Sequence, residues 1–224
     1  MKKFFMILSL VATGLTPVLA QQNSTTEKQP VMRGVTEGRD WVDLGLSVMW
    51  ATVNVGADAE DKIGCYFAWA ETSQKTSYVA DNYLESGHSE DIILTPYDVA
   101  NVTWGGEWRM PNKKELLELK NRCKWVWGKK GKSYGYTITG PSGQSIFLPA
   151  GGSYTLQQTK LGSLGQYWSG QIHAGTADVF TLIFNESKRF VQADSHRYSG
   201  YLVRPVINRP DETGMEEDVT TFHM

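Results

Sequence analysis

Trp104-Gly-Gly-Glu-Trp-Arg-Met-Pro-Asn-Lys-Lys-Glu-Leu116 is the stretch whose reading decides the fold. Two glycines make a tight turn, an aromatic-Arg-apolar-Pro entry follows, and a helix begins. Asn112 is placed to accept the orphan amide hydrogens of the first turn, with Glu115 three residues on, as in a capping box. The spacing predicts a helix over about 113–123, with Leu116, Leu119 and Cys123 on one face and Leu117 beside them. Glu107 reads as the structural partner of Arg109. Trp125 and Trp127 alternate after the helix and read as packing residues, with sugar stacking as the other use of such rings.

Upstream, Val42, Leu44, Leu46, Val48 and Trp50 recur with a period of two, which predicts a strand with one buried face. Cys65-Tyr-Phe-Ala-Trp-Ala70 is apolar on both faces, as a central strand would be. Residues 71–103 keep no period and predict a long irregular excursion, a length that usually serves function. Downstream, Tyr134–Thr139 and Ser145–Leu148 flank Gly140-Pro-Ser-Gly143, a hairpin. A meander is predicted next, over Gln166–Gly170, Val179–Phe184, Arg189–Ala193 and Gly200–Val206. Its strands run up and down, so the connections 171–178 and 194–199 fall at one end and the turn Asn185–Lys188 at the other. The shared rim would collect Gln171, His173, Asp178, Asp194, His196, Arg197 and Tyr198, backed by Trp168. These supply stacking, donors, acceptors and both charges, as a polar recognition patch requires.

The ends read differently. Met1-Lys2-Lys3, an apolar run to Leu15 and Val18-Leu19-Ala20 make residues 1–20 a secretory signal peptide, which implies export to periplasm, outer cell surface or medium. The apolar run is short for a bilayer, and no membrane span is expected in the mature chain. Residues 21–38 read as a flexible leader, 39–208 as one domain, and 209–224 as an acidic, disordered tail. The formal charge is −2, and outside the ends the chain is close to neutral, so nothing draws nucleic acid or anionic membrane by bulk charge. The two cysteines, Cys65 and Cys123, can form one bridge in an exported chain or remain buried thiols.

Six motifs come in order: Asp43-Leu-Gly-Leu-Ser-Val-Met-Trp-Ala-Thr-Val-Asn-Val-Gly56, Gly64-Cys-Tyr-Phe-Ala-Trp-Ala-Glu-Thr72, Trp104–Pro111, Ile146-Phe-Leu-Pro-Ala-Gly-Gly152, Tyr167-Trp-Ser169 and Val203-Arg-Pro-Val206. Over about residues 40–207 the chain resembles the Fibrobacter succinogenes major paralogous domain family of exported Bacteroidetes proteins. The resemblance implies an α+β, C-type-lectin-like fold: twisted antiparallel sheets with one main helix and long loops. It is distantly similar to formylglycine-generating-enzyme domains. The chain departs from the family pattern at Val53, where cysteine is usual, and at Cys65; a half-cystine moved across a hairpin, still bonded to Cys123, is one way to accommodate both.

The resemblance opens both binding and catalysis, and the side chains choose between them. The formylglycine type needs a metal-binding cysteine pair in the C-terminal half, and no cysteine follows Cys123. The sulfoxide-synthase type needs a histidine iron site, and His88, His173, His196 and His223 show no i, i+4 pair. Glu71, Glu107 and Asp43 have no spacing that favours sugar hydrolysis. Trp-Asn-Asp and the loop acids of calcium lectins are missing as motifs. The expectation is therefore an exported non-catalytic module, without cofactor or metal, that binds a glycan or protein ligand through its C-terminal loops. Alternatives are a structural or adhesive subunit of a surface appendage, a variable protein of the diversity-generating-retroelement type, whose hypervariable region would correspond to Ser169–Tyr198, and a metal-dependent enzyme.

Overall fold

The computed structural model describes residues 32–194 and 196–209. The expected signal peptide and acidic tail lie outside them, except Arg209, whose Nε donates to the Leu46 carbonyl and whose guanidinium pairs with Asp43. In chain order the elements are β1 (Arg33–Thr36), β2 (Arg39–Val42), β3 (Val48–Ala51), α1 (Val99–Trp104), α2 (Lys113–Arg122), β4 (Lys124–Lys130), β5 (Ser133–Thr139), β6 (Ser145–Pro149), β7 (Ser153–Tyr154), β8 (Gln158–Thr159), β9 (Leu164–Ile172), β10 (Val179–Asn185), β11 (Arg189–Asp194) and β12 (Val206–Asn208). The sheets are β1-β2-β3-β12, β11-β10-β9, β4-β5-β6 and the small pair β7-β8, and every strand pairing within them is antiparallel. Among the described residues no helix is long and apolar enough to cross a membrane.

The capping box forms as expected: Asn112 Oδ1 accepts from Glu115 N at 2.9 Å, and Glu115 Oε2 accepts from Asn112 N at 2.8 Å. Leu116 and Leu119 are buried beneath α2. Alternation along strands divides the core. Val48 and Trp50 of β3 join Leu116, Leu119, Tyr136, Ile138 and Phe184 in one cluster. Met49 and Ala51 face a second cluster with Trp69, Trp108, Met110, Trp168 and Val203. Burying both faces makes β3 a central strand rather than a one-sided one.

Several expectations change. The flexible leader is shorter than 21–38, because Arg33–Thr36 pair with Arg39–Val42. Residues 43–47 bury Leu44 and Leu46 without being a strand; Gly45 at φ 75° turns the chain there. Residues 65–70 are irregular, with one isolated bridge, Phe67↔Tyr201, and single bonds from Cys65 N to the Val55 carbonyl and Trp69 N to the Arg197 carbonyl; Ala70 at φ 65° ends the extended run. The excursion 71–103 contains α1, whose N-cap Asp98 accepts from Ala100 N and Asn101 N. The meander has three strands, not four. After β11 the chain crosses to the far edge of β9, where Leu202 accepts from Trp168 N and donates to the Gln166 carbonyl, before β12 returns to β3. The proposed bridge is absent: Cys65 and Cys123 are free thiols packed against different clusters.

Two buried arginines hold the motifs together. Arg109 makes a two-pronged pair with Glu115 at 2.9 and 2.7 Å and donates to Asn208 Oδ1 at 2.7 Å. Glu107 is exposed and is not its partner. Arg204 donates to Asn54 Oδ1 at 2.8 Å and to the carbonyls of Ala51, Thr52 and Phe147 at 3.1, 2.9 and 2.9 Å.

Candidate functional site

Strand register brings the two predicted connections to one rim. Val179 pairs with Ile172 on one side and Asp194 on the other, so the loops that carry 173–178 and 196–199 lie side by side. His173 N donates to the Asp178 carbonyl at 2.8 Å and closes the first loop; Thr176 Oγ1 lies 3.3 Å from His173 Nδ1. In the second loop Asp194 Oδ1 accepts from His196 N and lies 2.9 Å from His196 Nδ1, and Asp194 Oδ2 accepts from Tyr201 Oη at 3.0 Å. These bonds fix the ring of His196, which stands edge-on to Tyr198 at 5.9 Å.

Not every predicted residue faces solvent. Trp168 is fully buried: its ring stacks on Tyr201 at 4.3 Å and its Nε1 donates to the Phe67 carbonyl at 2.8 Å. It is a core residue, because it points from β9 into the second cluster. Arg197 is also buried, at 4 % exposure. Its guanidinium lies 4.5 Å from the Trp69 ring centroid and donates to Tyr83 Oη, the Glu85 carbonyl and the Ala177 carbonyl at 3.1, 2.9 and 3.4 Å. With its donors turned to protein acceptors, Arg197 is a clamp rather than an anion partner. Gln171 is half-buried, and its Oε1 caps α2 by accepting from Lys113 N at 3.1 Å. His173 and His196 are exposed, while Asp178 and Tyr198 are half-buried. The expected patch thus contracts to His173, Asp178, His196 and Tyr198, supported by Asp194.

The Arg197 cradle draws the irregular excursion under this rim. Tyr83 Oη accepts from Arg197 and donates to the Trp69 carbonyl at 3.0 Å; burial pushes its pKa up to about 12 despite the nearby guanidinium. Beside the clamp a groove of about 230 Å³ is lined by Glu71, Lys75, Leu84, Glu85, Pro96 and Tyr97, among others. Glu71 there pairs with Lys75 and accepts from Leu84 N at 2.8 Å. Leu84 and Tyr97 are exposed at the groove's edge. No period in residues 71–103 marks these positions in the sequence, and Glu85 is placed by a contact to distant Arg197.

The groups nearest to catalytic chemistry are quiet. Burial pushes the Cys65 thiol up, and burial together with Glu118 pushes Cys123 up to about 11, so both are protonated at neutral pH. Asp43 pairs with Arg209, Glu71 with Lys75, and Glu107 is exposed, with no ion pair among the described residues. Compared with family models, with curated proteins and with solved structures, the chain matches none.

Proposed function

We propose that this chain is an exported, non-catalytic binding module on a C-type-lectin-like scaffold of the Fibrobacter succinogenes major paralogous type, recognising a glycan or protein ligand through its C-terminal rim. The observation that carries this is the Arg197 clamp. One buried guanidinium ties loop 172–178, residues 196–199 and residues 83–85 together, leaving His173, His196 and Tyr198 above it unneeded by the core. Such rigid support lowers the ordering cost of binding, because the loops are already fixed. The protonated thiols and the separated carboxylates favour binding over chemistry.

The test is an array of surface glycans and proteins probed with the purified chain. The double variant His196→Ala/Tyr198→Ala should weaken the captured ligand about tenfold or more, a loss of at least ~1.4 kcal/mol, with an unchanged unfolding midpoint. Equal capture by parent and variant would place recognition elsewhere.

A further inference from the structure

The aromatic face of the β4–β5 hairpin runs past the end of the core. In an antiparallel pair, opposed residues and those two positions along share a face. Trp127 opposes Tyr136 and Lys129 opposes Tyr134, so Trp125, Trp127, Tyr134 and Tyr136 stand on one side. Its inner part is closed: Trp125 and Tyr136 pack edge-on to Phe184 at 5.9 and 5.4 Å. Toward the hairpin tip the cover stops. Trp127 is half-buried and Tyr134 is 48 % exposed. The two line a cleft of about 360 Å³ whose other walls are Gly162, Ser163, Asn185, Glu186 and Ser187.

Bonds hold the cleft, and the Ser163 hydroxyl keeps only its acceptor capacity, since it donates to the Lys160 carbonyl at 3.0 Å. Tyr136 Oη donates to the carbonyls of Glu186 and Asn185 at 2.8 and 3.0 Å, pinning that turn against the hairpin. Asn185 Oδ1 accepts from Ser187 N and Lys188 N, both at 2.9 Å, which leaves its Nδ2 as a spare donor. Glu186 is exposed and makes no ion pair among the described residues. Gly162 has φ 75°, and a Cβ there would meet the Tyr134 ring at 3.8 Å, so the glycine keeps that side of the ring bare.

Two aromatic surfaces beside a carboxylate, an amide and two hydroxyls are suited to a pyranose. Its C–H face packs on a ring while its hydroxyls reach donors and acceptors at the wall. A purely apolar guest would strip water from Glu186 and Asn185 without replacing the bonds. Lys129 Nζ, 5.8 Å from the Tyr134 ring centroid, and Glu186 put both charges at the cleft, so neither sign of ion is selected. The volume lies near the lower end of ordinary ligand pockets (about 300–1,000 Å³), which suits a mono- or disaccharide. We infer that the Trp127–Tyr134 cleft is a saccharide-binding site. It is distinct from the rim, because the turn Asn185–Lys188 closes the β10–β11 hairpin at the opposite end of that sheet.

The experiment is saturation-transfer-difference NMR on the purified chain with methyl pyranosides and α- and β-linked disaccharides of glucose, galactose, mannose, xylose and N-acetylglucosamine. At least one sugar should receive saturation at its ring protons with a Kd on the order of 1 mM or tighter. Tyr134→Ala should weaken that sugar about tenfold or more, Tyr134→Phe should stay within about twofold, and Glu186→Gln should weaken it several-fold. His196→Ala/Tyr198→Ala should leave it unchanged. Tyr134 and Glu186 lie at the surface, and matching unfolding midpoints verify that their variants fold. The inference is overturned if no sugar transfers at concentrations on the order of 10 mM, if Tyr134→Ala binds like the parent, or if the rim variant alone abolishes the signal. Failure of the rim variant to affect array capture bears on the proposed function and leaves the cleft untouched.

Discussion

Replacing Arg204 by methionine should be among the most damaging single substitutions in this chain. Arg204 is 1 % exposed and sends four hydrogen bonds to Asn54 Oδ1 and to the carbonyls of Ala51, Thr52 and Phe147. None of these acceptors is a carboxylate, so the charge is balanced by dipoles, and burial lowers the arginine's pKa to about 10. Methionine fills a similar length but leaves four buried acceptors unpaired, at about 1–3 kcal/mol each. Relief of the buried charge returns several kcal/mol of that total, leaving a net loss of about 3–5 kcal/mol. That is a large share of the ~5–15 kcal/mol that folds a typical domain. Urea unfolding followed by tryptophan fluorescence measures it, with the slope checked for constancy. Arg204→Lys keeps a cation with fewer reachable donors and should fall between parent and methionine, which keeps the comparison readable should the methionine variant fail to fold. Arg122→Met, at an exposed helix pair, should cost under about 1 kcal/mol. An Arg204→Met protein within about 1 kcal/mol of the parent would refute the idea that this guanidinium organises the motifs.

The other predictions separate scaffold from surface. Arg197→Ala should cost about 2–4 kcal/mol through lost stacking and carbonyl bonds, whereas His196→Ala should stay within about 0.5 kcal/mol; the same urea titration reads both. Glu115→Ala should cost about 3–5 kcal/mol by stranding Arg109, and Glu107→Ala almost nothing. Reductant should leave the unfolding midpoint unmoved, since a bridge between Cys65 and Cys123 would have been worth about 3–5 kcal/mol. Cys123 in the folded chain should alkylate about a hundredfold more slowly at pH 8 than an ordinary thiol, and its rate should climb with pH until about 11, followed by mass spectrometry. The sign follows from the raised pKa: the folded state holds the thiol proton through the window in which an unfolded thiol has lost it. Stability should therefore fall as pH rises from about 9 to about 11.

Local chemistry was legible in the sequence, and long-range use was not. The α2 helix could be read because its cap and its buried face both lie within twelve residues. The β5–β6 hairpin could be read because Gly140-Pro-Ser-Gly143 turns it. The shared rim followed from strand alternation alone. Misreadings came where buried backbone is irregular. An apolar run such as Cys65–Ala70 looks the same whether ladder bonds or side chains satisfy it. Six-residue α1 carries too little period to register and depends on Asp98, which also accepts from Leu94 N and Met110 N. Position along the chain puts Trp168 and Arg197 at the rim, but their partners Phe67 and Trp69 lie in the run that reads as a strand, and Tyr83 and Glu85 in the segment with no readable period.

The same fact explains how so irregular a chain keeps a core. Buried backbone polar groups must be paired; outside the ladders some meet other backbone, as Trp69 N meets the Arg197 carbonyl, and others meet side chains. Asn54 donates to the Ile63 carbonyl, Arg204 serves Ala51 and Thr52, Asp98 serves Leu94, Ala100, Asn101 and Met110, and Arg197 serves Glu85 and Ala177. Each of these side chains is itself buried, so each is costly to desolvate and costly to remove. Loops held in this way are fixed in place without contributing their exposed side chains to the core. His196 and Tyr198, whose backbone lies on either side of the clamp residue, are therefore open to substitution in a way that Arg197 is not. A library randomised at 173, 196 and 198 should retain folded members at high frequency, and one randomised at 197 should not. Equal recovery of folded protein from the two libraries would separate the clamp from the stability of the rim.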